Sequence, residues 1–143
     1  MGGGITNLIK STSQWSSSSS VWKISLSESG TMYLGKGYTV DTPTGTYVSE
    51  SFMVKSGEKL LIRGKNYMYG NKGTTNMSCN IYLIDSSGNA TTLFSTSNSE
   101  GYTTIGVLKS GLNGLYSLKI VMTSYSNWEN CIYFDDCKVI KAA

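Results

Sequence analysis

Residues 60–69 read LLIRGKNYMY, and their alternation decides the fold. Leu60, Ile62 and Gly64 fall on one face of an extended chain, while Leu61, Arg63, Lys65, Tyr67 and Tyr69 share the other. Side chains of a strand point alternately to opposite faces, so a period of two with one apolar face is the pattern of a half-buried β-strand. The same pattern recurs outward in both directions. Upstream, Val21–Leu26 places Trp22, Ile24 and Leu26 together, and Thr46–Val54 sets Tyr47 opposite to Val48 with Phe52 and Val54 inward. Lys55-Ser56-Gly57-Glu58 reads as the turn between that run and residue 60.

Downstream, Cys79–Asp85 turns Ile81 and Leu83 inward and Asn80 and Tyr82 outward, then ends in Ser86-Ser87-Gly88-Asn89, which has hairpin chemistry. Ala90–Thr96 is its return strand. Tyr102–Leu108, Leu115–Thr123 and Cys131–Ile140 complete the series. About eight to ten short strands without a credible helix predict an all-β fold, two antiparallel sheets packed face to face as a jelly-roll β-sandwich.

Composition agrees. Ser, Thr, Asn and Gly fill 64 of the 143 positions, Tyr 10 and Pro one, which suits short strands and many turns. Residues 5–141 are expected to form a single domain, with residues 1–4 (Met-Gly-Gly-Gly) a flexible N-terminus or a linker remnant. Neither a signal peptide nor an apolar run of membrane-spanning length is visible, so no membrane insertion is expected.

Two absences narrow the chemistry. The chain has no histidine, which removes Ser-His-Asp and Cys-His triads and His-based zinc sites. Arg63 is the one arginine beside eleven lysines, a poor footprint for nucleic acid despite a net charge of +3. The glutamates sit mostly in turn-like contexts beside Gly, Ser or Lys, without the apolar neighbours that would raise a catalytic pKa. A non-enzyme is expected. Cys79, Cys131 and Cys137 are odd in number, and the last two are too far apart along one extended run to bridge. A pairing of Cys79 with either stays open; free, buried thiols are the preferred reading.

Asn7-Leu8-Ile9 followed by Trp15, the step Glu50–Leu60 through its Gly turn, and the closing run Ile132–Val139 together resemble, in order, the galactose-binding-like jelly rolls. That superfamily includes many carbohydrate-binding modules. Domains with such an opening and no secretion signal also resemble accessory domains of phage tails and baseplates. The resemblance implies a non-catalytic carbohydrate-binding or attachment module, with a glycan or cell-surface polysaccharide as partner. It also implies location on a virion or at the cell surface, in a homo-oligomer or larger assembly. The alternative is a purely structural sandwich that mediates protein–protein assembly.

Sugar recognition needs flat aromatic faces with polar groups beside them. If the strands 60–69 and 79–85 share a sheet, Arg63, Lys65, Tyr67, Tyr69, Asn80 and Tyr82 form one such surface. The bland reading makes these tyrosines cross-strand packers. The first-choice site is Tyr125–Asn130, because the family's ligand sites often lie on loops at one edge: Trp128 and Tyr125 would stack and Asn127 would hydrogen-bond. Trp15 and Trp22 are expected in the core. No cofactor is required; the resemblance implies a structural Ca²⁺ near the last strand, with Asp135 and Asp136 as candidate ligands. Adjacent strand residues face opposite ways, so one of the two would serve unless a bulge intervenes.

Overall fold

A computed structural model describes residues 5–36, 43–70, 76–124 and 131–142, with Ile5 and the last strand described by backbone only. Twelve strands are present among them: β1 (Ile5–Asn7), β2 (Trp15–Ser17), β3 (Lys23–Leu26), β4 (Met32–Lys36), β5 (Thr44–Ser49), β6 (Phe52–Val54), β7 (Lys59–Tyr69), β8 (Ser78–Asp85), β9 (Ala90–Ser97), β10 (Gly101–Lys109), β11 (Gly114–Thr123) and β12 (Cys131–Ala142). A single 3-10 turn, Thr12–Gln14, precedes β2. The strands form two six-stranded sheets. The first runs β10-β7-β12-β4-β3, with β1 also on β12; the second runs β2-β5-β11-β8-β9, with β6 also on β11. Every pairing is antiparallel. The chain changes sheet at β1–β2, β2–β3, β4–β5, β6–β7, β7–β8, β9–β10, β10–β11 and β11–β12. This is the expected jelly-roll sandwich.

The core lies between the sheets. On β7 the residues Leu60, Ile62, Gly64, Asn66 and Met68 are buried, in the predicted phase. They face Cys79, Ile81 and Leu83 of β8 and Leu118, Ile120 and Met122 of β11 in one continuous cluster. Trp15 and Trp22 belong to it, as expected. Cys79 is a free thiol, wholly buried, and burial pushes its pKa up to about 12. The side chains of Cys131 and Cys137 lie outside the described residues.

Thr46–Val54 is two strands rather than one. Tyr47 and Phe52 are both inward although one is odd-numbered and the other even, so the phase must slip between them. It does so at Glu50–Ser51: Val48 pairs with Lys119, yet Phe52 pairs with Tyr116. The ladder bond lost at the slip is replaced by a side chain, the Leu118 N–H donating to Ser49 Oγ at 2.9 Å. The strand Met32–Lys36 is one that the sequence analysis does not identify, and Lys36 stands in it where alternation from Met32 and Leu34 calls for an apolar residue. Lys36 is nonetheless fully buried, its Nζ 5.9 Å from the centre of the Trp22 ring. Leu26, grouped with Trp22 and Ile24 from the sequence, is 43% exposed, whereas Ile24 packs against the core.

Candidate functional site

The outer face of β7 carries Leu61, Arg63, Lys65, Tyr67 and Tyr69, as the alternation requires; Arg63 and Lys65 are exposed, the others half-buried. Its partners are a different matter. The expectation of one surface shared with Asn80 and Tyr82 is corrected: β7 lies in the first sheet and β8 in the second, so the two groups sit on opposite outer faces of the sandwich. Asn80 is engaged across its own sheet, its Oδ1 accepting from the hydroxyl of Ser95. Tyr82 stands between Lys119 and Thr92 on that same outer face.

The strand beside β7 is instead β10, the edge of the first sheet. Direct register places Tyr102 opposite Tyr67, Thr104 opposite Lys65, Gly106 opposite Arg63 and Leu108 opposite Leu61. The burial pattern of β10 turns Tyr102, Thr104, Gly106 and Leu108 outward, so these pairs share one surface. The Tyr67 and Tyr102 rings are 4.7 Å apart between centroids and tilted by 43°. Tyr102 is 62% exposed, and the Lys65 ammonium lies 5.8 Å from the centre of its ring. The result is an open tyrosine platform with cations along one side. Neither cation has a carboxylate partner among the described residues. The sequence shows Tyr102 as the first residue of the strand 102–108 but not which strand it joins, so it is not among the candidate contacts named above.

Gly106 adds a feature of shape. It is exposed mid-strand, and a Cβ built on it would meet nothing within 4 Å. Glycine weakens a strand interior and is retained there where backbone must be approached closely. The row that holds Arg63 is therefore left low.

Tyr125, Asn127 and Trp128 lie outside the described residues. Asp135 and Asp136 are described by backbone alone, and there the strand is irregular: Asp135 pairs with Lys65 on one side, but the next pair is Lys138 with Arg63. On the other side Asp135 pairs with Tyr33 and Cys137 with Met32, so a bulge does fall at Asp136. Among the described residues no group of three His, Cys, Asp or Glu could hold a metal. None of the described carboxylates is fully buried. Asp85 is held below its ordinary pKa of 3.8, chiefly by the Asn89 backbone N–H, the opposite of what acid catalysis needs.

No protein-family model matches the sequence, and no curated protein matches it. Solved structures do. TmCBM61, determined in complex with β-1,4-galactotriose, superposes with a TM-score of 0.62 at 8% identity, over 91% of this chain and 90% of that one. The carbohydrate recognition domain of Emp47p gives 0.58 at 12% identity, over 96% and 92%. A Clostridium thermocellum endo-1,4-β-D-xylanase 10B chain with CBM22-1 and GH10 modules, complexed with xylohexaose, gives 0.52 at 12%, over 97% of this chain and 28% of that one. The chain has the fold of these jelly rolls. Identities this low make the likeness one of fold, and the site has to be argued from this chain's own residues.

Proposed function

We propose that this domain is a non-catalytic carbohydrate-binding module whose ligand lies across β7 and β10. The observation that carries the reading is the exposed Tyr67–Tyr102 pair set beside Lys65, Arg63 and Thr104. Tyrosine faces stack on the apolar faces of sugar rings while hydroxyls and cations bond the sugar hydroxyls. From the tyrosine row to the Arg63 row is four residues of strand, about 13 Å, so an oligosaccharide fits better than a single sugar. The platform is open, which suits an internal stretch of a chain. Fold likeness to TmCBM61, whose structure holds galactotriose, supports the same class of ligand. The domain's place is on an attachment apparatus, a phage tail or another surface assembly, where it holds a larger protein to glycan and performs no chemistry.

The test is a glycan-array screen of the multivalently displayed domain, with Tyr102→Ala and Tyr67→Ala beside the wild type. Each is expected to lower binding at least tenfold. Tyr102→Ala should leave the thermal midpoint nearly unchanged, since its ring is mostly in solvent. Trp128→Ala belongs in the same screen: binding lost there and kept in Tyr102→Ala would move the site away from the platform. A blank array for the wild type would favour the structural-assembly alternative.

A further inference from the structure

We propose that the platform selects an acidic polysaccharide, a uronate-containing chain whose carboxylate is taken by Arg63 with Lys65 beside it. This rests on the glycan reading above and names the class of sugar. Arg63 is the chain's one guanidinium, and the fold sets it exposed on the same face as the stacking tyrosines. A guanidinium fork matches a carboxylate with two parallel hydrogen bonds, a match that a neutral hydroxyl cannot offer. Lys65 is already tied to the aromatic site through its position over Tyr102. A ring stacked on Tyr102 would therefore meet its ammonium.

The basic charge of this surface is concentrated at the Arg63 row. None of the described carboxylates lies on β7 or β10: Glu28, Glu50, Glu58 and Asp85 belong to other segments, and Glu100 precedes β10. On β12 the position registered with Lys65 is Asp135, whereas the one registered with Arg63 is Lys138. By sequence, then, the Arg63 row is basic on both strands and carries Gly106 on the third. The absent side chain at Gly106 leaves open space where a ligand carboxylate would have to descend towards Arg63.

The experiment uses polygalacturonate, alginate and hyaluronan, each beside its own carboxyl-reduced form, so that linkage is kept and only the carboxylate changes. Affinities are measured for wild type, Arg63→Gln, Lys65→Gln, the double variant, Gly106→Thr and Tyr102→Ala. At least one acidic polymer is expected to bind tenfold or more tighter than its reduced form. That preference should shrink between roughly 0.01 M and 0.15 M salt, as the screening length falls from about 30 to about 8 Å. Arg63→Gln should remove most of the preference, lowering the acidic polymer's affinity far more than the reduced polymer's. Gly106→Thr, which has room for its side chain and suits a strand, should cut acidic binding without lowering the thermal midpoint. Tyr102→Ala should weaken both forms. Equal binding of acidic and reduced polymers overturns the acidic class and leaves the platform standing, provided that Tyr102→Ala still weakens both. Acidic binding that survives the double variant overturns the role of these two cations. Failure to bind any of the six polymers overturns the acidic class, and the array screen then decides the platform separately.

Discussion

Trp22 shows how closely single residues are specified in this fold. Its ring stands edge-on to Tyr47, with centroids 6.2 Å apart and planes at 81°, and the Tyr47 hydroxyl donates to the Lys23 carbonyl at 2.9 Å. Gly45, two residues before Tyr47, is what leaves space for the indole: a Cβ there would collide with the Trp22 ring. The glycine is thus a packing requirement rather than a turn. Gly45→Ala is expected to cost about 2–3 kcal/mol by overpacking, or roughly 5–10 °C in the midpoint of a domain this size. A thermal melt reads it directly, and an unchanged midpoint would mean that the ring is not seated against β5. The sequence disclosed that Trp22 is apolar-facing and Cys79 inert and buried. It could not disclose the Gly45 contact, because Trp22 leads into β3 of the first sheet whereas Gly45 lies on β5 of the second.

Among the elements, the β8–β9 hairpin is the most completely written in its own residues. Asp85 closes it: one carboxylate oxygen accepts from the N–H groups of Ser87 and Asn89, each at 2.9 Å, and Gly88 takes the positive φ (86°) that the turn demands. These bonds favour the charged carboxylate and hold its pKa below 3.8. A carboxyl with a lowered folded-state pKa contributes stability that is whole above its unfolded value and is lost as the pH falls through the folded one. The wild type should therefore outlast Asp85→Asn at neutral pH, with the gap between their midpoints closing below about pH 4. A gap constant from pH 7 to pH 2 would show that the turn does not depend on the charge. Such local chemistry is why this hairpin, β7, β10 and β11 were legible within a residue or two of their bounds. Where an element depends on partners it was not. The slip at Glu50–Ser51 exists because β11 must be followed on both sides of it, and β4 forms although Lys36 breaks its alternation, because Trp22 receives that side chain.

At the scale of the whole molecule, the candidate site is a product of topology. Alternation alone placed Arg63, Lys65, Tyr67 and Tyr69 on one outer face, but a strand's neighbours follow from how the chain passes between sheets. β8, next in sequence to β7, crosses to the second sheet, and β10 returns to take the place beside β7. Half of the platform was thus readable, and its other half, Tyr102 to Gly106, came from a strand 35 to 43 residues away in the chain. The same topology leaves β10 as a sheet edge with its platform open to solvent, so a ligand on the proposed platform would be held from one side only. One-sided contact with an exposed tyrosine pair predicts weak monovalent binding, and attachment then depends on copies held together. Fusing the domain to a trimerising scaffold should raise its apparent affinity for a polysaccharide-coated surface by about 10²–10⁴ over the monomer, with no change in affinity for a short soluble oligosaccharide. Surface plasmon resonance on both ligands separates the two terms. A trimer that binds the coated surface no better than the monomer would count against attachment as the role, because spacing on a polymer cannot deny a flexible trimer its second contact. Tyr102→Ala in every protomer should abolish the gain along with the monovalent binding, since avidity multiplies a contact and cannot replace one.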